Sequence, residues 1–196
     1  MHPFPYLSTF YFNSYIILIS DDIDVILDIA HNEDAIVALI NKVKFKYPGK
    51  RIKIVLGMSA DKTVDKCVKN LLIDLNNMTP DQIYCTNAKH PRAIIHTELR
   101  NIINESYLSL TNITSGNDFV NNDHDSVRIC LRNAIDAARQ EKNCVVVVCG
   151  TAFIMAEARA ELGIVEPKDG DILYNISSDG SEDKILADSQ EYFKVN

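Results

Sequence analysis

The chain has 196 residues, 46% of them apolar and 24% charged, a length and balance that suit one domain with a real buried core, with or without ragged ends. Its net charge of −7 argues against a positive face for nucleic acid and against unaided binding of a polyanion such as ATP, so any anion site must be local. Five cysteines, an odd number with no C-x-x-C spacing, are expected as buried free thiols in a reducing compartment.

The first twenty residues contain no Lys or Arg and therefore lack the basic region of a signal peptide. Their aromatic run is broken by Ser and Asn and is too short to span a bilayer. Residues 1–13 are expected as an irregular lead, followed by an edge strand, with the cytosol as the default compartment and a mitochondrial copy left open. From there the chain alternates strand, turn and helix. VILDIA (25–30) is a short apolar run, and EDAIVALINKVKF after it places Ala35, Leu39, Ile40 and Val43 on one helical face. Pro48-Gly49 stops that helix. RIKIVLG (51–57) is the next strand, and DKTVDKCVKNLLIDL returns to helical spacing through Val64, Cys67, Val68, Leu71, Leu72 and Leu75. QIYCT (82–86) is a third strand after the turn at Thr79-Pro80-Asp81.

A helix is expected around Ile94–Glu105, with YLSLTNIT (107–114) as a short strand and 115–125 as a polar loop. SVRICLRNAIDAARQE is strongly amphipathic, with Ser126 at its N-cap. NCVVVVCG (143–150) is apolar on both faces, which marks a central strand covered by helices on both sides. TAFIMAEARAEL closes the pattern as a helix, and 166–196 is expected as a polar tail. Alternating strands and helices predict an α/β domain over 14–165: a mostly parallel sheet with helices on both faces.

In such a sheet ligands lie beyond the carboxyl ends of the strands. Four segments bring polar residues there. Asp28 ends an apolar strand, where its carboxylate can take hydrogen bonds from a ribose diol or serve the strand-to-helix turn. His31 follows in the loop, and Asn32 is a good N-cap ahead of Glu33 and Asp34. Asp61-Lys62 opens a helix after Gly57. Lys89, His90 and Arg92 form a basic loop stiffened by Pro91, able to hold a carboxylate or phosphate or simply to be solvated. Gly150-Thr151 opens a helix after the central strand and can admit an anion or make a tight turn. His124, between Asp123 and Asp125, is expected to be solvated rather than to bind a metal, and His96 to lie on a helix surface. No metal site is expected. The glycines, at 49, 57, 116, 150, 163, 170 and 180, fit neither a P-loop nor a G-x-G-x-x-G fingerprint.

Together these segments resemble one family, the folylpolyglutamate synthase/dihydrofolate synthase branch of the Mur ligases. Asp28-Ile29-Ala30-His31-Asn32-Glu33-Asp34-Ala35 resembles its D-x-A-H-N-P-x-A stretch, and Ile54-Val55-Leu56-Gly57 with Asp61-Lys62 its strand and G-x-x-x-D-K. His90-Pro91-Arg92-Ala93 resembles its P-R-A loop, and Val145 to Thr151 its V-V-V-x-G-S strand and turn. Order and spacing agree over roughly residues 14–163. The resemblance implies a Rossmann-like carboxy-terminal domain of an ATP-dependent ligase that phosphorylates a folate-type carboxylate and lets glutamate's amine attack the acyl phosphate. ATP and Mg²⁺ would lie between this domain and an amino-terminal P-loop domain that the chain does not contain, so the isolated chain is expected to be inactive. Asp28 would bond the ribose, His31 would face the phosphates, and Asn32 and Thr151 would shape the nucleotide site. Lys62 and Arg92 would stabilise developing charge or support loop structure, with His90 and Arg92 toward substrate.

The chain departs from the family at Glu33, where Pro is usual, and at Tyr11-Phe12-Asn13-Ser14, which lacks the Gly-Arg hinge. The tail after Pro167 has no family counterpart. Two other readings stay open: a non-catalytic binding domain that kept the frame, and another Mur-type amide ligase acting on cell-wall precursors.

Overall fold

The structure is a computed structural model. It describes residues 23–60, 63–74, 82–111 and 122–164, together with 14–19; for 14–19 and Asp74 it describes the backbone alone. The expected lead, the polar tail, Asp61 and Lys62 lie outside the described residues.

Five strands form one sheet: β1 (Ser14–Ile19), β2 (Ile23–Asp28), β3 (Arg51–Leu56), β4 (Ile83–Cys85) and β5 (Cys144–Cys149), in the order β1-β2-β5-β3-β4. β2, β5, β3 and β4 run parallel, with Ile26 and Ile54 both opposite Val147. β1 pairs antiparallel to β2, Ser14 facing Asp28 and Ile19 facing Ile23, so the expected edge strand is present. Every residue of β5 is buried. The last of these five strands in sequence thus lies between two earlier ones, as a run apolar on both faces requires.

Alternate residues of each strand face opposite layers. On one face, Ile26, Ile54, Leu56, Ile83, Val145 and Val147 join a core with α1 (Glu33–Lys46), α2 (Val64–Asp74) and α3 (His96–Thr111). On the other pack α4 (Val127–Glu141) and, after a 3-10 turn at Ala152–Ile154, the short α5 (Met155–Glu161). Helix α1 shows how sequence sets such an element. The Asn32 side chain accepts from the Ala35 N–H at 2.9 Å, Glu33 and Asp34 sit in the first turn, and Lys44 and Lys46 in the last, each matching the helix dipole. Its buried face is Ile36, Leu39, Ile40 and Val43, each worth about 1.5–3 kcal/mol of burial. Ile36 rather than Ala35 leads that face; Ala35 packs at its margin.

Residues 107–111 are not a strand. Tyr107 to Thr111 complete α3, and the Thr111 hydroxyl donates to the Tyr107 carbonyl at 2.8 Å. Leu99, Ile103 and Ser106 continue one buried helical stripe, and that period overrides the weak strand preference of the Tyr-Leu-Ser-Leu run. Residues 112–114 lie outside the described residues. Ser126 does precede α4, but its side chain makes no capping bond. Its own N–H donates to His124 Nδ1 at 2.9 Å.

All five cysteines are free and buried. Burial pushes the Cys130 thiol up to about 11 and drives Cys85 and Cys149 still higher, so these act as small apolar groups rather than nucleophiles. Lys53 is also buried, on the β3 face that meets α4, where its ammonium pairs with Glu141 beside Arg51. A long amphipathic side chain fits there because its charge finds a partner at the rim.

Candidate functional site

The carboxyl ends of β2, β5, β3 and β4 share one edge of the sheet, as parallel pairing dictates. The turns that leave them therefore lie side by side.

The turn after β2 is built from its own polar side chains. Asp28 Oδ1 accepts from the Ala30 N–H at 2.9 Å, an Asx turn that bends the chain off the strand. His31 Nδ1 lies 2.8 Å from the Ile29 carbonyl oxygen. Only a protonated Nδ1 can make that bond, so Nε2 holds the lone pair of the neutral ring. Asn32 is spent as the N-cap of α1. Asp28 and His31 are both half-buried. The Asp28 charge also reaches across to β5, where it adds to burial in raising the Cys149 thiol.

The turns after β3 and β5 touch directly. The Gly57 N–H donates to the Cys149 carbonyl at 3.2 Å. Gly150 has φ +113°, and a Cβ there would stand 2.1 Å from the Gly57 carbonyl oxygen. The close approach that Gly150 permits is thus to the neighbouring backbone. Thr151 is buried; its Oγ1 accepts from the Phe153 N–H at 3.4 Å and lies 3.3 Å from Ser59 Oγ. Thr151 accordingly caps a 3-10 turn, not the α-helix expected to start there.

The loop after β4 is sewn to the same block. Ser59 and Ala93 form a β-bridge, the Ala60 N–H donates to the Arg92 carbonyl at 2.8 Å, and the Ile94 N–H to that of Met58 at 3.0 Å. His90 stacks on Phe153, ring centroids 3.7 Å apart and planes 10° from parallel, and the Arg92 guanidinium carbon lies 5.4 Å from the centre of that ring. The structure therefore brings Thr151, His90 and Arg92 around Phe153, while Asp28, His31 and Asn32 gather in the adjoining turn. Lys62 lies outside the described residues.

The sequence model of the "Mur ligase, glutamate ligase domain" matches residues 16–152. The chain belongs to the Mur ligase family. Among solved structures, folylpolyglutamate synthase of Mycobacterium tuberculosis, complexed with ADP and AMPPCP, aligns at a TM-score of 0.59 and 22% identity, covering 74% of this chain and 30% of its own. The bifunctional folylpolyglutamate synthase/dihydrofolate synthase of Yersinia pestis, complexed with AMPPNP and Mn, aligns at 0.51 and 25%, covering 71% and 28%. Folylpolyglutamate synthase of Thermotoga maritima aligns at 0.52 and 19%, covering 76% and 29%. The chain spans under a third of the length of these proteins. No curated protein matches its sequence.

Several residues of this Mur ligase domain escaped the sequence. Ser59 carries no motif signal beyond following Gly57. Phe153 reads as packing until its ring is seen under His90. Glu33, in place of the family's Pro, accepts from the Thr63 hydroxyl at 3.1 Å and lies 3.7 Å from Lys66 Nζ, tying α1 to the approach of α2. His96 is not a plain surface group: its Nδ1 lies 2.8 Å from Asp123, which Arg100 also contacts at 3.1 Å. Burial alone would push the Asp123 carboxyl up, but the His96 bond and the Arg100 charge outweigh it and hold the group below the usual carboxylate range. Asp123 is therefore held in place by two partners.

Proposed function

We propose that this Mur ligase domain is the carboxy-terminal part of an ATP-dependent ligase that adds L-glutamate to a folate or pteroate carboxylate through an acyl phosphate. The observation that carries this reading is the convergence of the D-x-A-H-N turn, the G-T turn and the P-R-A loop on one edge of the sheet, within a family of glutamate ligases. Solved neighbours named as folylpolyglutamate synthases with adenine nucleotides support it.

The residues present suit a nucleotide. Asp28 offers a half-buried carboxylate at a strand end, held by the Ala30 N–H, a geometry suited to a ribose diol. His31, with Nδ1 committed to a carbonyl, presents Nε2 as the ring atom that accepts a proton when neutral and donates to an anion when protonated. ATP with Mg²⁺ supplies the phosphoryl group that activates the acceptor carboxylate. Among the described residues no three His, Cys, Asp or Glu side chains gather to hold a metal, so we assign Mg²⁺ with the ATP phosphates to the P-loop domain. Asn32 and Thr151 keep the two nucleotide-side turns in shape. Arg92 and His90 face the amino-acid substrate, and Lys62 is assigned to stabilising developing charge. The amine must lose protons as it becomes an amide nitrogen, and His31 Nε2 is the base we assign to that step.

The test is a comparison of acceptors with the complete enzyme, this domain joined to its P-loop domain. Dihydropteroate or a reduced folate should support glutamate-dependent ADP release, and a cell-wall peptide precursor should not. Release with the peptide precursor alone would move the assignment to another branch of the Mur ligases. Release with none of them would leave the frame as a binding domain.

A further inference from the structure

Phe153 stands at the join between two of the loops that form the site. It sits in the 3-10 turn Ala152–Ile154, which is anchored by the fully buried Ile154 and by the Thr151 cap. Its own ring is only half-buried. Against it from the β4 exit loop lie the His90 imidazole, 3.7 Å away and nearly parallel, and the Arg92 guanidinium. Hydrophobic packing alone gives no reason to set two polar side chains on one ring at the rim of a sheet. The loop itself has little freedom to slide, because Arg92 O accepts from the Ala60 N–H and Ala93 is bridged to Ser59.

The contact also fixes a tautomer. The Arg92 N–H donates to His90 Nδ1 at 3.2 Å, so Nδ1 is unprotonated and the neutral ring carries its proton on Nε2. His90 is therefore an N–H donor even when uncharged. A guanidinium resting against a ring keeps its donors in its own plane. One fixed positive charge and one neutral donor, held by the same ring, match a single carboxylate better than a multiply charged phosphate.

We propose that Phe153 is a positioning residue that holds His90 and Arg92 as a two-pronged receptor for a carboxylate of the amino-acid substrate; this inference rests on the ligase reading above. Phe153 acts through its aromatic face, not its volume. Phe153→Tyr should therefore preserve the arrangement and Phe153→Leu, similar in apolar bulk, should not.

The experiment has two arms. In the 196-residue chain the His90 ring proton signals are followed by NMR, where stacking on Phe153 shifts them upfield. F153L should return them downfield and F153Y should not, with unfolding curves confirming that both variants fold. L-glutamate added to the chain should move the His90 signals in wild type and F153Y and leave them still in F153L. In the complete enzyme, F153L should raise KM for glutamate about tenfold with kcat within about twofold, and F153Y should restore it. Unchanged His90 signals in F153L, or a loss in kcat with KM unaltered, would overturn the proposal. If the complete enzyme uses no glutamate at all, the ligase reading fails, and the NMR arm alone decides whether Phe153 positions the pair.

Discussion

From Asp28 to Asn32 three polar side chains bond to the backbone of their own turn: Asp28 to Ala30, His31 to Ile29, Asn32 to Ala35. A strand-to-helix turn needs such bonds, so their presence does not by itself mark a ligand site, and the test must separate the two roles. Asp28→Ala removes the acceptor for the Ala30 N–H and should cost about 1 kcal/mol of stability. Asp28→Asn keeps that acceptor and should stay within about 0.5 kcal/mol of wild type in urea unfolding. In the complete enzyme Asp28→Ala and His31→Ala should each lower turnover at least about tenfold, near 1.4 kcal/mol in the barrier. Wild-type kinetics in both would remove these residues from the site. The identity of the polar residues at this edge was legible in the sequence because apolar strands end visibly at Asp28, Gly57 and Gly150. Their partners were not. Nothing in the spacing says that the Thr151 hydroxyl meets Ser59, or that His90 finds Phe153, since both contacts join segments brought together only by the sheet.

Among the elements, the ends of β3 and β5 approach closely. Gly150 combines a left-handed φ with a carbonyl where its Cβ would be. Gly150→Ala should therefore cost about 3 kcal/mol or more, read as a fall in the urea midpoint. A loss under about 1 kcal/mol would mean that the strand ends separate freely. A second joint ties α3 to the segment ahead of α4 through Asp123, His96 and Arg100. Because its partners hold the Asp123 carboxyl below the usual range, its stabilisation is complete above the unfolded carboxyl pKa, about 4. It is lost as pH falls through the lower folded value. Asp123→Asn should cost about 1–2 kcal/mol at pH 7, and the gap to wild type should narrow as pH falls below about 4. A gap that stays constant over that range would contradict the ion-pair account. The misplaced strand at 107–111 has its cause at this scale too. Short apolar runs suit either period, and only the buried stripe of Leu99, Ile103 and Ser106 decides for the helix.

Across the whole molecule, the α/β class and the helices on both faces were legible because period-2 and period-3.6 patterns alternate along the chain. The all-apolar β5 announced its central place. The order β1-β2-β5-β3-β4 could come from the sequence only through family likeness, since strand order depends on which crossovers pack, not on local preference. The domain gathers candidate nucleotide and substrate groups on one edge. The P-loop that would cradle the phosphates has no counterpart among its seven glycines, and the chain covers under a third of its solved relatives. The most direct measurement is ADP release from ATP in the presence of glutamate and a reduced folate, by this chain alone and by the chain joined to the P-loop domain of a folate ligase. The account predicts no substrate-dependent release from the chain alone and restored release from the joined protein. Substrate-dependent release by the chain alone, or an inert joined protein beside an active control carrying the relative's own domain, would contradict it.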